Sequence, residues 1–122
     1  MDSAHSQPLQ IAVIGAGHHS RTFHLPALAH YADLHPGTLS VAAIVDPDPA
    51  AASAALAACP ACRVFADAGD MLAQLRPDAC VATTPVALNA AMAAQLARAG
   101  LPVLMEKPPG ATLAEARRLV AD

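Results

Sequence analysis

The sequence predicts an α/β fold: a doubly wound parallel sheet of about five strands, with helices on both faces. Three observations predict it. Short β-branched apolar runs alternate with helix-length stretches, the connections between them are short, and a glycine turn follows the first run directly. Near-continuous apolar runs suit strands buried on both faces, as in a parallel sheet. Right-handed βαβ units then give the strand order 3-2-1-4-5.

Met1 to Pro8 reads as a short polar tail. It has no basic region leading into an apolar stretch, so no signal peptide is expected. The first strand is Leu9 to Ile14 (LQIAVI), followed by a helix over roughly 20–34. Leu39 to Val45 (LSVAAIV) forms the second strand, with a helix over roughly 48–59 after it. Arg63 to Ala66 is the weakest strand, and Asp67 is a plausible N-cap for a helix over roughly 67–75. Ala79 to Thr83 comes next, then a helix over roughly 86–99 that Gly100 closes at C′. Val103 to Met105 is the fifth strand, and Thr112 caps a last helix over roughly 112–121. Pro77 and Pro102 follow helix ends and cannot continue them. Sheets of this kind usually have a sixth strand, so the chain reads as cut short before it.

With 122 residues there is room for one domain, placed at 9–122. An apolar content of 55% against 14% charged residues excludes a disordered chain. Most of that apolar content is alanine, with one Tyr, two Phe and no Trp, so the core must be built from small and branched side chains. The net charge of -3 and the scattered basic residues argue against nucleic-acid or membrane-surface partners. No apolar run approaches the length of a bilayer span, and a cytoplasmic protein is expected. Three cysteines, an odd number, do not suggest a disulfide framework. Cys59-Pro60-Ala61-Cys62 follows a helix instead of opening one, where a thiolate is disfavoured. Free thiols without a redox role are expected. No second cysteine pair is there to complete a zinc site.

Gly15-Ala16-Gly17-His18-His19-Ser20 lies between the first strand and a helix. Gly15 permits the tight turn, and Gly17 lets backbone approach a pyrophosphate, whose charge meets the unpaired N–H groups of the helix start. Ser20 stands at the third glycine of the fingerprint, where a small side chain suffices for packing. This context favours a Rossmann-type nucleotide site over an ordinary turn. Asp46, ending the second strand, is the expected acceptor for adenosine ribose hydroxyls. With Asp48 nearby and no arginine within the next several positions, it selects NAD(H) in preference to NADP(H). Its other reading is a turn aspartate in Asp-Pro-Asp-Pro.

Thr83-Thr84-Pro85 and Glu106-Lys107-Pro108-Pro109 end the fourth and fifth strands, where ligands bind in such folds. Strand alternation sends Glu106 and Lys107 to opposite faces. Lys107 is placed to hydrogen-bond a substrate hydroxyl or carbonyl, or to exchange a proton with it. Taken singly, the two segments are an ordinary strand-end turn and a solvated strand end. His18, His19 and His24 surround the glycine turn. Adjacent side chains diverge and no carboxylate or cysteine lies close in sequence, so no metal is expected. Contact of His18 or His19 with the cofactor is the better reading, with His24 on a helix face beneath.

In order, GAGHHS with His24-Leu25-Pro26-Ala27-Leu28, then IVD, TTP and AGLPVLMEKP, resemble the glucose–fructose oxidoreductase, inositol dehydrogenase and rhizopine-catabolism (Gfo/Idh/MocA) oxidoreductases. The resemblance runs from about Leu9 to Val120. It implies hydride transfer between a nicotinamide and a sugar- or polyol-like substrate. Lys107 is then the catalytic-site lysine, Glu106 helps to shape the site, and the Lys107–Pro108 peptide is often cis. Gly15, Gly17, His18, His19, Ser20, Asp46, Thr83, Thr84, Pro85, Glu106 and Lys107 are the expected cofactor contacts.

The chain departs from the family at Asn89, where a histidine is frequent, and at Ser20. The family's second domain, which carries the substrate pocket, a further catalytic histidine and usually the oligomer interface, has no counterpart. The chain alone is therefore expected to bind cofactor weakly if at all, to turn over no substrate and to self-associate through bared apolar surface. The alternative is a dinucleotide-sensing regulator of the same fold, which has no evident need for Lys107.

Overall fold

The computed structural model describes residues 7–121; most of the expected N-terminal tail and the last residue lie outside them. The chain alternates β1 (Leu9–Ile14), a π-helical turn (Ser20–His24) with α1 (Leu25–Leu34), β2 (Leu39–Val45), α2 (Pro49–Leu56), β3 (Arg63–Phe65), α3 (Ala68–Gln74), β4 (Ala79–Ala82), α4 (Val86–Arg98), β5 (Val103–Met105) and α5 (Leu113–Ala121). All strand pairs are parallel, in the order β3-β2-β1-β4-β5. The fold class and the strand order are those expected.

Side-chain alternation along the central strands feeds two cores. Ala12 and Ile14 of β1, with Ala43 and Val45 of β2, pack against Met71 of α3 and Leu96 of α4. Val13 and Ile44 point to the other face and meet Leu25 of α1 and Ala55 of α2. The alanines let the helices approach closely. The larger buried groups, Ile14, Leu25, Ile44, Met71 and Leu96, carry most of the burial, about 1.5–3 kcal/mol for each fully buried aliphatic side chain.

Helix ends follow the expected chemistry. Asp67 accepts from the Asp70 N–H at 2.8 Å. Thr112 Oγ1 accepts from Glu115 N–H at 3.2 Å while Glu115 reaches back to Ala111 N–H, a capping-box exchange one residue longer than usual. Gly100, at φ 80°, closes α4, and Leu101 N–H returns to the Leu96 carbonyl.

Three local features differ from expectation. The first helix begins with a π turn, in which Leu25 N–H reaches the Ser20 carbonyl. Pro26 has no N–H and its ring crowds the preceding turn, which widens around it. The second helix stops at Leu56 and tightens into shorter turns through Cys59 before Pro60. Cys59 and Cys62 form a disulfide rather than standing as free thiols. The turn that Pro60 imposes brings their Cα atoms to 5.7 Å, and both sulfurs pack against the Val41 carbonyl. Cys80 is buried, and burial pushes its thiol pKa up to about 11. Among the described residues no helix is long and apolar enough to cross a membrane.

Candidate functional site

One hydrogen-bond pattern gathers the sequence motifs at the C-terminal edge of the sheet. The residue following each strand donates its backbone N–H to the last residue of the next strand. Asp46 donates to Phe65 (3.0 Å), Gly15 to Val45 (2.7 Å), Thr83 to Ile14 (2.8 Å) and Glu106 to Ala82 (3.1 Å). Parallel topology therefore sets Asp46, Gly15, Thr83 and Glu106 in one row, although Gly15 and Glu106 are 91 positions apart in sequence.

The two glycines have different work. Gly15 lies at φ 98°, and a Cβ there would come within 2.9 Å of the Thr83 carbonyl oxygen. Thr83 Oγ1 bridges to the carbonyls of Ile14 and Gly15, so this glycine locks β1 against β4. Gly17 is exposed, and a Cβ there would meet nothing within 4 Å. The space at the helix start is open, as close approach by a pyrophosphate requires. Ser20 is buried, and among the described residues its hydroxyl has no partner. His18 is exposed, its Nδ1 3.4 Å from Thr22 Oγ1.

Asp46 serves both readings of its sequence context. Its Oδ2 accepts the Ala16 N–H at 2.8 Å, which ties β2 to the glycine turn. Its Oδ1 accepts the Asp48 N–H at 2.8 Å in an Asx turn. A carboxylate has about four acceptor positions, so two remain for ribose hydroxyls. Asp48 is the N-cap of α2, its Oδ1 accepting from Ala50 N–H.

Glu106 is the centre of the opposite end. Its Oε1 lies 2.8 Å from His19 Nε2 and 2.7 Å from His24 Nε2. Hydrogen bonds from His24 and then His19 hold its carboxyl below the ordinary glutamate value. No carboxylate lies close to the histidines in sequence, but the fold brings Glu106 to them in space. The three ligand atoms lie within 4.8 Å of one another, joined across more than 80 positions that no local motif could reveal. His24, in the helical turn, reaches Glu106 without itself lining the depression that Glu106 borders.

β5 stops at Met105, so strand alternation no longer governs the next two residues. Glu106 and Lys107 both border one depression, with His19, Thr83, Thr84, Val86 and Asn89. Their expected opposite orientation is therefore corrected. The Lys107–Pro108 peptide is cis. Pro85 opens α4, where its carbonyl accepts from Leu88 and Asn89 N–H; it is not part of the depression's lining. Asn89, not foreseen as a functional position, is buried beneath this depression.

A family model described as "Oxidoreductase family, NAD-binding Rossmann fold" (Gfo/Idh/MocA) matches residues 9–122. An inositol 2-dehydrogenase from Leifsonia xyli subsp. xyli is 42% identical over 81 residues, covering 66% of this chain and 24% of that protein. The WlbA dehydrogenase from Bordetella pertussis, crystallised with NADH and UDP-GlcNAcA, superposes with a TM-score of 0.83 at 33% identity, over 94% of this chain and 33% of that one. A 3-ketoreductase from Actinomadura kijaniata, crystallised with TDP-benzene and NADP, gives a TM-score of 0.77 at 28% identity, over 94% of this chain and 34% of that one. The chain thus spans about a quarter to a third of the length of these relatives.

Proposed function

This chain belongs to the Gfo/Idh/MocA oxidoreductase family as an NAD-binding Rossmann domain, and from that premise we propose that its sheet edge serves hydride transfer on a sugar- or polyol-like substrate. The observation that carries the proposal is the row of Asp46, Gly15, Thr83 and Glu106 along the C-terminal edge, with Lys107 at its end.

The residues fit a dinucleotide. Gly17 leaves open space at a helix start, the buried Ser20 hydroxyl has no partner among the described residues, and Asp46 keeps acceptor capacity for ribose. When bound, the nicotinamide supplies or accepts the hydride. Asp46 favours a free 2′-hydroxyl and repels a 2′-phosphate, which makes NAD(H) the preferred form. His19, Thr83 and Thr84 border the depression from the glycine turn and β4. Lys107 is exposed and borders the same depression, from which its ammonium can hold a substrate oxygen and exchange a proton as the carbinol carbon changes oxidation state. A sensor of dinucleotides has no use for a lysine so placed.

Alone, the chain binds cofactor but does not turn over substrate. The enhancement of NADH fluorescence on binding tests the first part, and Gly17→Ala should need more NADH to reach it. For the second, the chain is mixed with NAD and myo-inositol and NADH formation is followed. No steady-state formation is expected, and sustained turnover contradicts the proposal.

A further inference from the structure

Lys107 is exposed and carries a long flexible side chain, so its usefulness to any reaction depends on how its backbone is held. The strand ladder does not hold it, because β5 ends at Met105 and the last ladder-like bond is from Glu106 N–H to Ala82. Prolines follow at 108 and 109 and have no N–H to donate. The segment that presents Lys107 therefore lacks the usual means of backbone fixation.

Asn89 supplies one. It is 1% exposed, one of only two buried polar side chains among the described residues. Its Nδ2 donates to the Glu106 carbonyl at 3.3 Å and to the Pro108 carbonyl at 3.2 Å. These carbonyls flank Lys107 on either side. Its Oδ1 accepts from Thr84 Oγ1 at 2.8 Å. Asn89 sits in the first turn of α4, and its own N–H is fixed to the Pro85 carbonyl. The amide thus spends both donor hydrogens on one short segment and fixes its acceptor to the strand-end turn beside it. A buried amide satisfied this way has one orientation, since a flipped amide would set oxygen against two carbonyls.

We propose that Asn89 is the positioning residue for Lys107: its buried amide clamps the carbonyls on both sides of the lysine and locks that segment to the Thr83-Thr84-Pro85 turn. This rests on the reading of Lys107 given above. The geometry also states which half of the contact matters. Donation to Glu106 and Pro108 holds the lysine segment, while acceptance from Thr84 keeps the amide from turning.

Lys107 is the only lysine in the chain, so labelling with [15N]lysine gives a single backbone amide signal, at the position in question. Its order parameter and its displacement by NADH are measured in the unaltered chain and in Asn89→Asp, which keeps shape but replaces the donor with an oxygen. The order parameter is expected near the rigid-backbone value of about 0.85 in the unaltered chain and below about 0.6 in Asn89→Asp. The displacement by NADH should shrink with it. A merely structural role would lower the melting temperature and leave Lys107 ordered at temperatures below melting.

Should Asn89→Asp not fold, Thr84→Val carries the test, because it removes only a part-buried hydroxyl outside the core. A clear drop in the Lys107 order parameter is expected there too. An unchanged order parameter in whichever variant folds overturns the proposal. If Asn89→Asp disorders Lys107 but NADH never moves the signal in the unaltered chain, the clamp stands and the placement of Lys107 beside the cofactor falls.

Discussion

At the residue scale, neighbouring glycines of one motif answer to different constraints. Gly15→Ala meets both a positive φ and the Thr83 backbone. The left-handed conformation alone costs about 1–2 kcal/mol, and the clash adds to it, so a fall in the urea midpoint is expected. Gly17→Ala meets open space and should leave the midpoint unchanged while weakening NADH binding. Equal loss of stability in the two variants would contradict this division. Glu106 makes a pH prediction. Its carboxyl is held below the ordinary value of about 4.3 by His24 and His19. A depressed folded value means that the carboxylate stabilises the fold fully above that ordinary value and loses the contribution as pH falls through the folded one. Glu106→Gln should therefore flatten the acid limb of stability below about pH 4.3, as read from urea midpoints across pH. An unchanged acid limb would deny the His–Glu contact a role in solution.

At the element scale, most of the fold was legible because the signals are local. The β-branched runs, Asp67, Thr112 and Gly100 each announce an element or an end through chemistry within a few residues. The π turn was less legible: Pro26 is visible in sequence, but whether a helix breaks, kinks or widens around it depends on packing of Leu25 into the core. The disulfide is hidden in sequence for a related reason. Its position after a helix argues against redox catalysis, and that argument says nothing about whether the turn brings the sulfurs together. The pair precedes β3, at the edge of the sheet opposite the motif row. Double replacement of Cys59 and Cys62 by serine should leave NADH affinity unchanged in a calorimetric titration, and a marked loss would tie the pair to the site. Leu96, fully buried where α4 crosses the sheet, tests the packing. Leu96→Ala should cost about 2–5 kcal/mol in chemical denaturation, a large share of the stability of a domain with an alanine-rich core.

At the scale of the whole molecule, the site was legible as four separate motifs and not as a constellation. Glycine turn, strand-end aspartate, TTP and EKP each point to the same edge because parallel topology has only one such edge. What sequence could not show were contacts made across that edge: Glu106 with His19 and His24, and Asn89 with the carbonyls around Lys107. Both join residues far apart in the chain; Asn89 stands out in sequence only as a departure from a frequent histidine, and nothing local tells which carbonyls its amide holds. The same scale governs association. Leu104 on the edge strand, with Leu113 and Val120 on α5, are 66%, 65% and 89% exposed. An open strand edge with apolar neighbours favours pairing with another copy. Sedimentation velocity should show a mass that rises with concentration, and Leu104→Lys should suppress the rise.

The central claim is that this sheet edge is an NAD(H) site selected by Asp46. Calorimetric titration of the chain with NADH and NADPH in parallel tests it most directly. NADH should bind more tightly, and Asp46→Ala should weaken it about tenfold, as loss of a charge-assisted hydrogen bond implies. Equal or tighter binding of NADPH, or no binding of either by a folded sample, would contradict the account.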